Sequence, residues 1–460
     1  MTNHRQTTAV VAGIASFVVP FMSSAVTVAS PCIGSEFSLS AAGLGWIVTA
    51  YLLATAASLL PAGRLADIVG KKEVFVAGMV LFSVSSFASA ISPSYAILLA
   101  SRIFGGVGAA MGFATGTAIL MTVTPLPDRG RVLGWNVAAV YLGLSLGPPL
   151  GGLITRFLGW EWVFVAGGAA GLLATVMAAL ALEREHPAAA DDSFDIAGTL
   201  AWGIALIAFM YGLTRLSGWY GVPLVVLGLI CFGVFVRMES RLKSPLLEVE
   251  VFSRNPAFVF SNLAALINYS ATMAVVFLLN LYLQFQRGLT ASEAGMVLLI
   301  QPVVMAVVSP LTGRLSDRIP AGTLASAGMA LTVVVLGAFA FLGPSTNMWF
   351  VRAGLAVLGL CFGLFSSPNM NAVMSSVERR RYGVASSTLG TMRTVGQVLS
   401  MGIATLIMTH YLGREEIGPG NVGGLMKSVK LAFAVSAVLC VFGVAASLAR
   451  GGRKPEGRAA

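Results

Sequence analysis

The sequence predicts an all-α integral membrane protein of fourteen transmembrane helices, arranged as two six-helix halves with two further helices between them. Three observations predict it. Of the 460 residues, 57% are hydrophobic and only 10% charged, where a soluble domain carries about 25% charge. The apolar residues gather in runs long enough to span a bilayer. A short string from the first half, Gly63-Arg64-Leu65-Ala66-Asp67, returns 250 positions later as Gly313-Arg314-Leu315-Ser316-Asp317.

A spanning helix needs about 20 apolar residues, because the hydrocarbon core is about 30 Å thick and each residue rises about 1.5 Å. Runs of that length lie at 9–29, 46–63, 73–92, 97–121, 133–155 and 162–182, then at 195–214 and 220–238. The last six lie at 257–280, 293–312, 322–342, 349–374, 385–410 and 428–449. Each must satisfy its backbone hydrogen bonds within itself, which only a helix does segment by segment. The first run follows a weakly basic start (His4, Arg5). It is long for the core of a cleavable signal peptide, and another span soon follows, so it reads as an uncleaved helix.

The basic residues set the orientation. Twenty Lys and Arg fall in the termini and alternate loops on one side, against six on the other. By the positive-inside rule both termini are expected in the cytoplasm, in a multi-pass protein of the inner membrane. The net charge of +10 is therefore topological. No basic domain exists that would hold nucleic acid. The remaining three basic residues, Arg102, Arg352 and Arg393, fall within or at the edges of runs.

The 250-residue offset recurs. Ala77-Gly78-Met79 meets Ala327-Gly328-Met329, Arg102 meets Arg352 and Arg131 meets Arg381. The expected organisation is a first half at 1–182, an inserted pair at 183–256, a second half at 257–449 and a cytoplasmic tail at 450–460. Internal repeats of this kind place a substrate site between the halves, near the bilayer midplane.

Chemistry-bearing clusters are scarce. The four cysteines are scattered and there are three histidines (His4, His186, His410), so no metal site, cofactor or enzymatic constellation is expected. Polar residues inside spans should face an interior cavity or join helices by hydrogen bonds. Ser24, Thr27, Tyr51, Tyr141, Asn268, Tyr269, Gln301, Asn371 and Arg393 are the cavity candidates, with Arg393 the sharpest, facing a substrate anion or a carbonyl.

Three motifs remain. The loop after the second span reads Gly63-Arg64-Leu65-Ala66-Asp67-Ile68-Val69-Gly70-Lys71-Lys72. The fourth span holds Arg102-Ile103-Phe104-Gly105-Gly106-Val107-Gly108-Ala109-Ala110, and the fifth Gly143-Leu144-Ser145-Leu146-Gly147-Pro148-Pro149-Leu150-Gly151-Gly152. Together these resemble the signature loop, the arginine motif and the antiporter motif of the major facilitator superfamily. Trp46 and Tyr51 in the second span, Trp160 and Trp162 before the sixth, and Asp195 before the seventh are similar to its fourteen-helix drug/proton antiporter branch.

That resemblance implies roles. Gly63, Asp67, Gly70, Lys71 and Lys72 would form a conformational latch. Gly63 would admit a close helix contact, and Asp67 would face the N-terminus of the 385–410 helix near Ser386 and Ser387, where the helix dipole favours a negative charge. Arg102, Asp67 and Asp195 would serve proton coupling. Gly143, Gly147, Pro148, Gly151 and Gly152 would let the fifth helix pack closely and kink. The branch usually carries an acid in its first helix; here Met22 stands at that position.

The implied function is export of a small, amphipathic, drug-like compound by alternating access in exchange for protons. The partners would be that substrate, the coupling ion and the lipid bilayer. Uptake or facilitated diffusion of a small metabolite is the alternative within transport. A receptor or regulatory protein on a transporter scaffold is the alternative of another class.

Overall fold

The computed structural model describes residues 2–122, 124, 129–183, 194–216, 218–242, 245–247, 252, 255–316, 318–377, 382–413, 415–418 and 420–450. Among them the first six spans are α1 (Thr2–Glu36), α2 (Ala41–Val69), α3 (Lys71–Ala90), α4 (Tyr95–Thr122), α5 (Arg129–Phe157) and α6 (Glu161–Ala181). The inserted pair is α7 (Ile196–Thr214) and α8 (Gly221–Glu239). The second half comprises α9 (Pro256–Leu281), α10 (Ala291–Leu298), α11 (Ile300–Leu315), α12 (Ala321–Phe339), α13 (Met348–Ser375), α14 (Tyr382–Leu412) and α15 (Val422–Ala449).

Each expected run is a helix, and the tenth is split. Its break at Leu299 has a local cause. Pro302 has no N–H for the carbonyl of Leu298 and crowds it, so α10 ends and α11 starts afresh. Thr290 starts α10 with a capping box, its hydroxyl accepting from the N–H of Glu293 while the Glu293 side chain accepts from the N–H of Thr290. Thirteen spans are long and apolar enough to cross a membrane. The 29-residue α5 makes the fourteenth crossing.

The halves repeat in space as in sequence. The pairs α1–α5, α2–α4, α3–α4 and α3–α6 pack together, and so do the matching pairs α9–α14, α11–α13, α12–α13 and α12–α15. Close glycine contacts serve both: a methyl group on Gly108 would lie 2.6 Å from the carbonyl oxygen of Gly78, and one on Gly328 would lie 2.8 Å from that of Cys361. Two seams join the halves, α2 against α14 and α5 against α10. The inserted pair lies beside the first seam, where Trp202 of α7 donates to the carbonyl of Ala56 at 3.2 Å.

Fourteen crossings leave both termini on one face, called here the near face; the opposite one is the far face. At the near face Arg450, expected as a tail charge, folds back instead. It donates to Asn369 Oδ1 at 2.9 Å, Ser261 Oγ at 3.3 Å and the Ser447 carbonyl at 2.7 Å, joining α15 to α9 and α13.

Candidate functional site

Between the halves lies a cavity with about 1380 Å³ of empty space, counting the part open to solvent. It is walled by α1, α2, α4, α5, α9, α10, α11, α13 and α14. On α9 the lining residues Tyr269, Thr272, Met273 and Val276 fall at helical spacing along one stripe. Ser24, Thr27, Tyr51, Gln301 and Arg393 also line it.

Two expected cavity residues do not. Asn268 is buried one position off the α9 stripe, rotated out of the cavity wall. Asn371 donates to Ser316 Oγ at 2.6 Å near the near-face ends of α11 and α13. The side chain of Tyr141 lies outside the described residues.

The polar lining divides into satisfied and unsatisfied groups. Ser24 donates to the carbonyl of Pro20, and Thr27 to that of Ser23, both within α1. Tyr51 reaches the carbonyl of Val19 at 3.4 Å. By contrast Ser23 Oγ and Gln301 Oε1 are buried with no partner. Arg393 stacks 5.2 Å from the ring centroid of Phe113 on α4 and donates no hydrogen bond among the described residues.

Arg102 is enclosed, 3% exposed. Its Nε donates to the carbonyl of Ile47 at 3.2 Å, and its guanidinium lies 4.1 Å over the Tyr51 ring. Its Nη2 has no partner. The ring quadrupole of Tyr51 and one carbonyl thus stand where a carboxylate would usually sit.

The α5 glycines form the tightest joints. A methyl group on Gly143 or Gly147 would overlap Phe17 or Ser24 of α1, and one on Gly151 would lie 2.7 Å from Ala25 Cα. Gly152 faces the other half, where a methyl group would lie 2.5 Å from the carbonyl oxygen of Ala291. Gly295 of α10 meets the carbonyl of Pro148 as closely. Nearby, Asn280 donates to the carbonyl of Thr27 at 2.9 Å and Gln284 to that of Val28 at 3.1 Å. Sequence reading missed these two residues. Their signal was a polar pair four apart at the end of an apolar run. The π-helical turn Tyr282–Gln286 sets the direction of Gln284.

In the signature loop, Gly70 alone separates α2 from α3 and has φ 123°, a conformation open to glycine and strained for other residues. Lys72 donates to the carbonyls of Ala179 at 3.0 Å and of Leu182, closing the C-terminus of α6. Gly63 departs from expectation. A methyl group there would meet nothing within 4 Å, because its face of α2 is not pressed against a neighbour. The α2–α14 seam is antiparallel. Gly45 packs on Thr405, and Gly390 lies opposite Leu59. Continued in that register, Asp67 comes level with the first turn of α14. The side chains of Ser386 and Ser387, and all of Asp317, lie outside the described residues.

Asp195 caps α7, its Oδ1 accepting from the N–H of Gly198 at 2.9 Å. Its other oxygen has no partner and converges on the same glycine as Oε1 of Glu239, which is also unpartnered. Glu239 is 2% exposed and accepts from the N–H of Leu247 at 3.0 Å through Oε2. Sequence reading missed Glu239, the last residue of α8, which lies between Arg237 and Arg241.

Comparison with known proteins agrees with this geometry. The family model described as Major Facilitator Superfamily matches residues 12–401 and 263–459. The chain is 27% identical over 431 residues to the riboflavin transporter RibZ of Clostridioides difficile, covering 94% of each. It is 30% identical to the methylenomycin A resistance protein of Streptomyces coelicolor, covering 83% of this chain and 80% of that one. A crystal structure of a bacterial homolog of the human lysosomal transporter Spinster, inward-facing and unoccupied, superposes with TM-score 0.71 at 17% identity, over 98% of both chains. The chain belongs to the major facilitator superfamily and is a membrane transporter, not an enzyme.

Proposed function

We propose that this transporter exports a small amphipathic organic compound by alternating access, in exchange for protons. The observation that carries the reading is the α5 glycine face. Gly143, Gly147 and Gly151 lock α5 to α1, while Gly152 sets the same helix against α10 of the other half. A rigid joint inside one half, continuous with a close contact between halves, suits rocking of one half against the other. Relatives named for resistance to methylenomycin A and for tetracenomycin C resistance and export support the direction.

The orientation that fits puts the near face in the cytoplasm, with the protein in the inner membrane. Asp67, level with the first turn of α14, would latch the near face shut, as an anion beside a helix N-terminus. For the proton, no acid lines the cavity among the described residues. The Asp195–Glu239 pair at the near-face ends of α7 and α8 is the better carrier. Two converging carboxylates repel when both are charged, which suits a site that takes up and releases a proton as the conformation changes.

Uptake or facilitated diffusion is the second reading, favoured by that acid-free cavity. The test is proton movement in everted vesicles. Substrate-dependent release of protons from the lumen, lost in Asp67→Asn and in Glu239→Gln, supports antiport. Substrate flux with no proton movement would remove the proton and leave the transporter.

A further inference from the structure

The central cavity is positive. Among the described residues that line it, Arg393 carries the only formal charge. It sits about 16 Å along α14 from the near face, at 1.5 Å per residue. One face of its guanidinium lies against Phe113, and among the described residues its five N–H donors have no protein acceptor. A cation so placed is costly unless something pairs with it. Gln397, one turn further along the same face of α14, also lines the cavity. Behind the Tyr51 wall, Arg102 adds a second positive charge with no carboxylate beside it. In a low-dielectric site these two charges repel a cationic ligand and favour an anionic one.

The rest of the wall describes the ligand's body. Phe113, Phe277, Phe362, Met273, Met305 and Met401 give it broad apolar and aromatic surface. Gln301 Oε1, a pure acceptor, is buried there without a donor.

We infer that the substrate is an amphipathic organic anion, its acidic head held by Arg393 and Gln397 and its apolar body lying between the Phe and Met walls. An N–H or O–H on that body meets Gln301. The planar fork of arginine matches a carboxylate, sulfonate or phosphate edge through two parallel hydrogen bonds. Binding an anion there would place it between α14 of one half and α4 of the other, so the bound head bridges the two rocking bodies. The inference rests on the reading of this cavity as the transport site.

The test uses the full-length protein in nanodiscs with two matched series of probes. These are 1-naphthylacetate, its amide and 1-naphthylethylammonium, and the three corresponding indole compounds, with binding read by competition. The acids are expected to bind at least about tenfold more tightly than the amides, and the amines not measurably, as a charge-assisted pair implies. Arg393→Gln should abolish the preference while thermal unfolding is unchanged, and Arg393→Lys should keep part of it. Should Arg393→Gln not fold, Gln397→Leu supplies the comparison, with the acid weakened and the amide unaffected.

Equal binding of acid and amide, tighter binding of the amine, failure of both acids to bind, or a preference that survives Arg393→Gln would each overturn the inference. Efflux of the same probes from proteoliposomes separates the two readings. Acid binding without flux would overturn the transport site and leave the charge class. Flux of amide and amine without preference for acid would do the reverse.

Discussion

Asn280 of α9 donates a 2.9 Å hydrogen bond to the backbone carbonyl of Thr27 on α1, 253 residues away in the chain. Asn280 is fully buried, and its Oδ1 accepts from Gln284, which in turn donates to the carbonyl of Val28. These bonds tie the two halves at the far face. In an apolar setting each contributes about 1 kcal/mol. Asn280→Ala should therefore raise the ratio of far-face-open to far-face-closed molecules roughly fivefold. Spin labels at the exposed residues Leu158 and Phe341, one in each half, would report it as a longer distance population. An unchanged distribution would mean that the seal lies elsewhere.

Gly151 and Gly152 are adjacent yet face different bodies. A methyl group on Gly151 presses on Ala25 inside the first half, and one on Gly152 presses on Ala291 across the seam. Gly151→Ala should lower thermal stability, by about 1–3 kcal/mol as overpacking does. Gly152→Ala should leave most of that stability and instead shift the same spin-label distances outward. Identical effects of the two variants would reject the division.

Lys72 closes α6 as well as supplying loop charge. Replacing it by Ala should destabilise the C-terminus of α6 by about 1 kcal/mol. Hydrogen exchange over 178–182 would then quicken several-fold, with topology unchanged. Lys72→Arg should restore protection, because it keeps the donors.

Arg102 carries a buried charge with no acid partner, and such a charge opposes stability. Arg102→Met is expected to match or exceed the wild type in thermal unfolding, while substrate flux falls at least about tenfold. A steep loss of stability would show that the contact with Tyr51 holds the fold.

Asp195 and Glu239 converge with an unpartnered oxygen each. Glu239→Gln mimics the pair with its proton in place, and should preserve the fold and remove substrate-dependent proton release. Retained release would move the coupling site away from α7 and α8.

The fourteen spans, their order and the internal repeat were legible in the sequence, because a bilayer accepts only apolar runs of one length whose backbone bonds close within each helix. The α5 motif was legible too, since small residues at helical spacing have a single structural use, close approach. The break at Leu299 required a proline to be weighed inside an apolar run, and length alone hid it.

Only the tertiary structure decided which polar groups find partners. Thr27 and Ser24 turn inward and satisfy themselves, Gly63 meets nothing, and Arg450 folds back onto Asn369. Among the described residues, Arg393 alone faces the cavity charged and free of hydrogen bonds, over Phe113 of a helix 280 residues earlier. A sequence states each residue's capacity to donate, accept or carry charge. Whether that capacity is spent depends on distances of a few ångströms between helices remote in the chain, which only their packing sets.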